Sequence, residues 1–280
     1  METKSNYREQ EKERARKLNI FNENKGKAAL LKDGENNLYS LIKDDVISYF
    51  HKNNISFWTC TIIGEKDDKK PTRHLLSSQI ACLNHLFPLR YDKETIESIF
   101  GFPNAQKIDD GYITFEYVNK NKTYLKEREE TRGKNCTSID AFVKANNVGI
   151  GIEWKYTETD FDITKAKKEW KQTYEKRYKP LLKTSNIIES DVLISCQMYY
   201  ELMRQTLLLE QMTVHNEIDD YKNIVVCPKD NKELYDCCKK WKANLKDDTK
   251  FEVIDPKDLL ANIDENKYKE LKNYLTTRYW

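Results

Sequence analysis

Three residues in the stretch SIDAFVKANNVGIGIEWKYTE have the types and spacing to do chemistry together: Asp140, Glu153 and Lys155. Two carboxylates brought side by side can hold a hard divalent cation, which takes oxygen ligands at about 2.0–2.1 Å and keeps several waters. A neighbouring ammonium can orient the attacking water and offset the negative charge that develops on a phosphorane, while the cation polarises the phosphoryl oxygen. Mg²⁺ is the expected ion, with Mn²⁺ able to substitute. The chemistry implied is phosphodiester hydrolysis, with Asp140 and Glu153 as metal ligands and Lys155 as the electrophile that orients water.

A hairpin is the element that must position them. Asn146 and Asn147 separate two alternating runs, and Asn tolerates the positive φ that both central positions of a type I′ turn require. Such a turn pairs Ala145 with Val148. Carried outward, this register sets Asp140 opposite Glu153 and Ser138 opposite Lys155, with cross-strand Cβ atoms roughly 4.5–5.5 Å apart. Ile139, Ala141 and Val143 would line the other face with Ile150, Ile152 and Trp154, giving one core face and one chemical face. On the chemical face, Gly149 and Gly151 stand across from Lys144 and Phe142, and the reading leaves open space there for substrate. The alternative is a surface salt-bridge ladder, common in a chain in which 34% of residues are charged. It accounts for neither the matched register of Asp140 nor the paired glycines.

The acidic pair and lysine, Asp140 with Glu153-Trp154-Lys155, resemble the signature of the PD-(D/E)xK nuclease superfamily. More narrowly, HLLSSQIACLNHLFPLR, TSIDAF, IEWKYTE and YYELMRQTLLLEQM, spanning about residues 71–213, resemble a branch of bacterial proteins described as restriction endonucleases. Ile139 stands where the superfamily motif has its proline, a residue that is not a metal ligand. The resemblance implies a restriction-endonuclease-like α/β fold, a mixed β-sheet core flanked by helices, and double-stranded DNA as substrate. A symmetric homodimer would suit cleavage of both strands.

Composition fits without requiring this. A balance of 48 basic against 46 acidic side chains in 280 residues makes the whole surface no generic polyanion trap, so affinity for DNA must be local. The largest local positive excess lies directly after the site: residues 165–183 hold eight Lys or Arg against two Glu. Lys165, Lys168, Lys171, Gln172 and Arg177 are therefore the candidate phosphate-backbone contacts. Trp170, Tyr174 and Tyr178 recur at helical spacing in the same stretch, with Asp162 as N-cap and Pro180 as terminator. An aromatic stripe in the core with a solvated basic face is an equal reading.

Seven cysteines without a CxxC pair point to reduced thiols. No apolar run approaches the roughly 20 residues of a membrane span, and the charged start lacks the apolar centre of a signal peptide, so a cytoplasmic protein is expected. His51, His74, His85 and His215 fall at no metal-ligand spacing. No Walker loop or dinucleotide fingerprint is present.

Residues 1–70 read as an N-terminal helical extension, a charged arm without nameable chemistry followed by a cap, and 71–280 as the catalytic domain. HLLSSQIACLNHLF reads as a helix ending at Pro88, in which Gln79 and Asn84 either meet substrate or serve as structural amides. YITFEYV and KTYLKERE read as a hairpin, with Glu116 and Glu127 as distant candidates for an outer-shell carboxylate. In VLISCQMYYELMRQTLLLEQM, Gln197, Glu201 and Arg204 share a polar face, and Arg204 is expected to form a structural ion pair with a residue such as Glu201. NIVVC and FEVI read as strands, with helices following each.

The expectation is thus a Mg²⁺-dependent DNA endonuclease acting in phage defence. A repair or processing nuclease of the same fold and a catalytically silent nucleic-acid-binding module are the alternatives.

Overall fold

The computed structural model describes residues 7–23, 25–119, 124–127, 132, 136–158, 173–188 and 197–280. In chain order these form helices α1 (Tyr7–Lys17), α2 (Lys43–Lys52), α3 (Ser78–Leu86) and α4 (Lys93–Phe100), then strands β1 (Ala105–Gln106), β2 (Thr114–Tyr117), β3 (Ile139–Ala145) and β4 (Val148–Trp154). After them come α5 (Gln197–Val214), β5 (Asp220–Val226), α6 (Lys232–Ala243), β6 (Phe251–Ile254) and α7 (Lys269–Arg278).

All six strands share one sheet, in which β1 and β2 both pair with β3, and the order continues β3-β4-β5-β6. The hairpin pairing is antiparallel, whereas β4-β5 and β5-β6 are parallel, so the sheet is mixed. Parallel neighbours need crossovers long enough to hold a helix. The β4-to-β5 crossover contains α5 and the β5-to-β6 crossover contains α6.

Helices cover both faces. Ala141, Val143, Ile150, Ile152, Ile224 and Val226 pack into a core shared with α2, α3 and α7. Phe142, Val225 and Phe251 face the opposite core, with Leu202, Leu209, Trp241 and much of α5 and α6. Burial on both sides explains why the second half of β5, Ile224-Val225-Val226, is a continuous apolar run.

The local chemistry of the ends is visible in the sequence. Asn146 and Asn147 adopt φ of 46° and 59° and close the hairpin in the expected register, Ala145 opposite Val148. Ser77 caps α3 by accepting from the Ile80 amide, which starts this helix four residues after His74, where the expected helix began. Two expectations are corrected. β2 pairs with β3, and 124–126 form a turn; the residues between, 120–123, lie outside the described residues. Pro180 does not end a helix: it sits in the first turn of Lys179–Leu182, directly after a π-helical turn at Tyr174–Tyr178. A first-turn proline costs nothing there, because its missing N–H would have no partner. Asp162 and Trp170 lie outside the described residues.

Candidate active site

The site lies where the sheet stops being regular. Residues two apart on a strand normally face the same way. Phe115 and Ala141 are paired and belong to the α3-side core, yet Tyr117 and Ile139, paired two rungs further on, pack on the α5 side. Both strands change face at the rung between, and that rung holds Glu116 and Asp140. Glu116 takes a φ of 48°, uncommon for a residue with a side chain, so the twist is concentrated at its backbone. Strain of this kind persists only where the surroundings fix it, and it concentrates at functional sites.

The hairpin ladder opens at the same level. The last paired residues are Ala141 and Ile152, and beyond them the amide of Trp154 donates to Asp140 Oδ2 at 2.7 Å. Glu153 follows Ile152 on the α5 side, where Gln205 Nε2 donates to its Oε2. Lys155 Nζ reaches back to Glu153 Oε1 at 2.6 Å and across to Glu201 Oε2 at 2.8 Å. Glu116 is tied in from the other side: Gln79 Nε2 donates to its Oε1 at 2.7 Å, and the Ser138 hydroxyl to its Oε2 at 2.9 Å. Asp140 and Glu116 open into a cleft of about 410 Å³ whose walls include Gln79, half-exposed Trp58, His74, Thr157, Glu158 and Arg8 of α1.

Electrostatics follow from crowding acids in a poorly hydrated place. Burial, then repulsion from Glu153 and Glu116, holds the Asp140 carboxyl well above its usual range. Burial also raises Glu153, against the pull of Lys155 and with Glu201 pushing the same way. Glu116 is raised by burial, against its bonds from Gln79 and Ser138 and with a push from Glu153. Burial alone would lower Lys155, but Glu153 and Glu201 drive it well above the ordinary lysine value, so it stays charged. Acids held close at this cost are a receptor for positive charge. Among the described residues no three His, Cys, Asp or Glu side chains form a ready cage. The donor set is all oxygen, which fits a hard cation that keeps its own waters and takes one or two carboxylates; Asp140 and Glu153 would hold it, with Glu116 nearest to them.

The expectations for individual residues divide. Asp140, Glu153 and Lys155 come together, and Gln79 and Glu116 join them. Asn84 is structural, bonded to Tyr39, Asn37, Tyr274 and Tyr279 in the core. Glu127 stands behind the site and accepts from the Thr137 amide and the Tyr178 hydroxyl. Arg204 binds Thr137 Oγ1 and lies 4.0 Å from Glu127, so its acidic partner is Glu127 and not Glu201, which is taken by Lys155.

The paired glycines do not leave a gap for substrate: a Cβ on Gly149 would meet Ile218 at 2.7 Å, and one on Gly151 would meet Leu209 at 3.0 Å. The strand face expected to carry the chemistry is packed under α5, and only its open end is a site. Arg177 is half-buried near Tyr200 and does not line the cleft. Lys165, Lys168, Lys171 and Gln172 lie outside the described residues.

Three residues at or beside the site were not anticipated there. Gln205 and Glu201 are one helical turn apart on α5, so their i, i+4 spacing was the available signal. Arg8 comes from the charged start, in which nothing local marks a site.

A mixed six-stranded sheet covered by helices, with this acidic rung at its edge, is a restriction-endonuclease-like α/β fold. The chain belongs to the family described as Restriction Endonuclease associating with ARP, whose model matches residues 5–280. Comparison with curated proteins and with solved structures returned no match. Among the described residues no helix is long and apolar enough to cross a membrane.

Proposed function

We propose that this chain is a Mg²⁺-dependent endodeoxyribonuclease of the PD-(D/E)xK type that cuts invading double-stranded DNA in the cytoplasm. The observation that carries the reading is the end of the hairpin ladder, where Asp140 opens into the cleft, buried Glu153 stands close enough to raise its pKa, and Lys155 lies 2.6 Å from Glu153. A divalent ion held there supplies Lewis-acid polarisation of a phosphoryl oxygen and acidifies water. Lys155, kept protonated by two carboxylates, orients the attacking water and offsets phosphorane charge, and is not a base at neutral pH. Gln205 fixes Glu153, and Glu201 fixes Lys155. Lys165, Lys168, Lys171, Gln172 and Arg177 are proposed contacts to the DNA backbone, which position a duplex without reading its sequence. Residues 71–280 are proposed as the catalytic unit, with 1–70 as its cap. The family description adds association with a partner, ARP; a homodimer is the proposed arrangement for cutting both strands.

The test is incubation of the purified protein with supercoiled plasmid and unmethylated phage DNA, with Mg²⁺ or EDTA, beside the Glu153→Ala variant. Discrete fragments that require both Mg²⁺ and Glu153 are expected. A smear would make it a processing nuclease, and cleavage persisting in Glu153→Ala would remove the site assignment.

A further inference from the structure

A second cavity, of about 220 Å³, lies on the other side of the segment that carries Lys155. Lys155 and Tyr156 line it, while the next two residues, Thr157 and Glu158, line the catalytic cleft, so one short segment separates the two spaces. Its walls are unusually rich in rings: Tyr7, His85, Trp154, Tyr156, Tyr279 and Trp280 all contribute. His85 is their hub, with ring centroids 4.7 Å from Trp154, 4.8 Å from Tyr279 and 5.9 Å from Trp280. At this volume the space falls below the ~300–1,000 Å³ of sites for drug-sized molecules and suits a single planar ring system.

Two polar ring atoms in these walls have no partner. His85 is 1% exposed; its Nδ1 lies 2.7 Å from the Ala81 carbonyl, which can only accept, so Nδ1 carries the proton and Nε2 presents a lone pair. Burial lowers the His85 pKa to about 3, which keeps the ring neutral. Trp280 Nε1 is an unpaired buried donor. An unmet acceptor and an unmet donor in one aromatic wall are costly unless a ligand supplies the complement. The edge of a nucleobase offers such a donor and acceptor, and its faces suit aromatic stacking. Glu11, Asp230 and Asp255 line the cavity together with Arg14, Lys155 and Lys257, so its charged lining is balanced and suits a neutral ring.

We propose that this cavity receives one nucleobase, swung out of the duplex bound at the adjacent cleft, and that Trp280 and His85 read its edge. The inference rests on the nuclease reading for its DNA, and the cavity itself is tested without cleavage.

Trp fluorescence is followed while the metal-free protein is titrated with deoxyadenosine, deoxycytidine and their base-methylated forms, with deoxyribose 5-phosphate and tetramethylammonium as controls. Saturable quenching by at least one nucleoside is expected, weakened about tenfold by Tyr7→Ala or Trp280→Ala and less by Trp280→Phe, which keeps a ring but not the donor. A response unchanged in both alanine variants, no response to any nucleoside, or tighter binding of tetramethylammonium would overturn the base pocket. The second arm uses Asp140→Asn, which cannot cut, and duplexes with or without one unpaired base. Because unpairing costs a few kcal/mol, the unpaired duplex should bind ~10-fold tighter or more, and the preference should vanish when Trp280→Ala is added. Equal binding of both duplexes would overturn the extrusion. If the protein never cleaves DNA yet binds nucleosides through Trp280, the nuclease reading fails and the pocket stands.

Discussion

The two ends of the β3-β4 hairpin are built from the same strands and behave oppositely. At the turn end, five successive rungs from Ala145-Val148 to Ala141-Ile152 are paired, and side chains such as Val143 and Ile150 are fully buried in the α3-side core. At the far end the ladder stops, the strands change face, and the residues supplied are Asp140, Glu116 and Glu153, whose carboxyls push one another's pKa upward. One end stabilises the fold. The other carries strain and like charge that only a cation or a proton relieves. Both ends bury their residues, so burial alone does not separate core from site; the distinction lies in whether the buried groups repel one another.

This contrast is sharpest in substitutions that should affect one end only. Short of removing a metal ligand, the largest effect is expected at Lys155: Lys155→Ala should lower cleavage by about 10²–10³-fold, the range for losing one preorganised group facing transition-state charge, while metal binding by calorimetry persists. Unchanged turnover would reduce Lys155 to an ion-pair partner. Ile150→Ala at the turn end should cost about 2–5 kcal/mol in urea unfolding and leave kcat untouched in whatever protein remains folded. A drop in kcat would show that the two ends are coupled. Glu201→Gln should have the smallest effect on rate, about 10–100-fold, because it only holds Lys155 in place. It should also lower the Lys155 pKa, moving the alkaline limb of the rate profile to lower pH; an unmoved limb would show that Glu201 does not act through Lys155.

Much of the turn end was legible in the sequence because its causes are local. Asn146-Asn147 dictates the turn, the turn dictates the register, and the register puts Asp140 and Glu153 at the same level. The face assignment failed for a non-local reason. Ile139 was expected to face the α3-side core with Ala141, but the twist at Glu116 turns it to the α5 side, and no short-range pattern encodes a twist centred in a partner strand. The glycines misled in the same way: the sequence shows a missing side chain, and only the fold shows that Ile218 and Leu209 occupy the space. Gln205 and Arg8 arrive from 52 and 132 residues away from Glu153 and Asp140, so their roles depend entirely on tertiary packing.

Asp140→Asn tests the central contrast in one protein. Asn keeps the shape and can still accept from the Trp154 amide, but carries no charge. Because folding raises the Asp140 pKa above its ordinary value of 3.8, the wild-type fold loses stability as pH rises through the raised value, and the variant has no such loss. In the absence of metal the variant should therefore melt higher by on the order of a few degrees at pH 8, the gap should close toward pH 4, and Mg²⁺-dependent cleavage should be abolished. A variant that melts no higher than wild type at pH 8, or that still cuts DNA at the wild-type rate, would contradict the reading of this rung as a strained, charge-crowded active site.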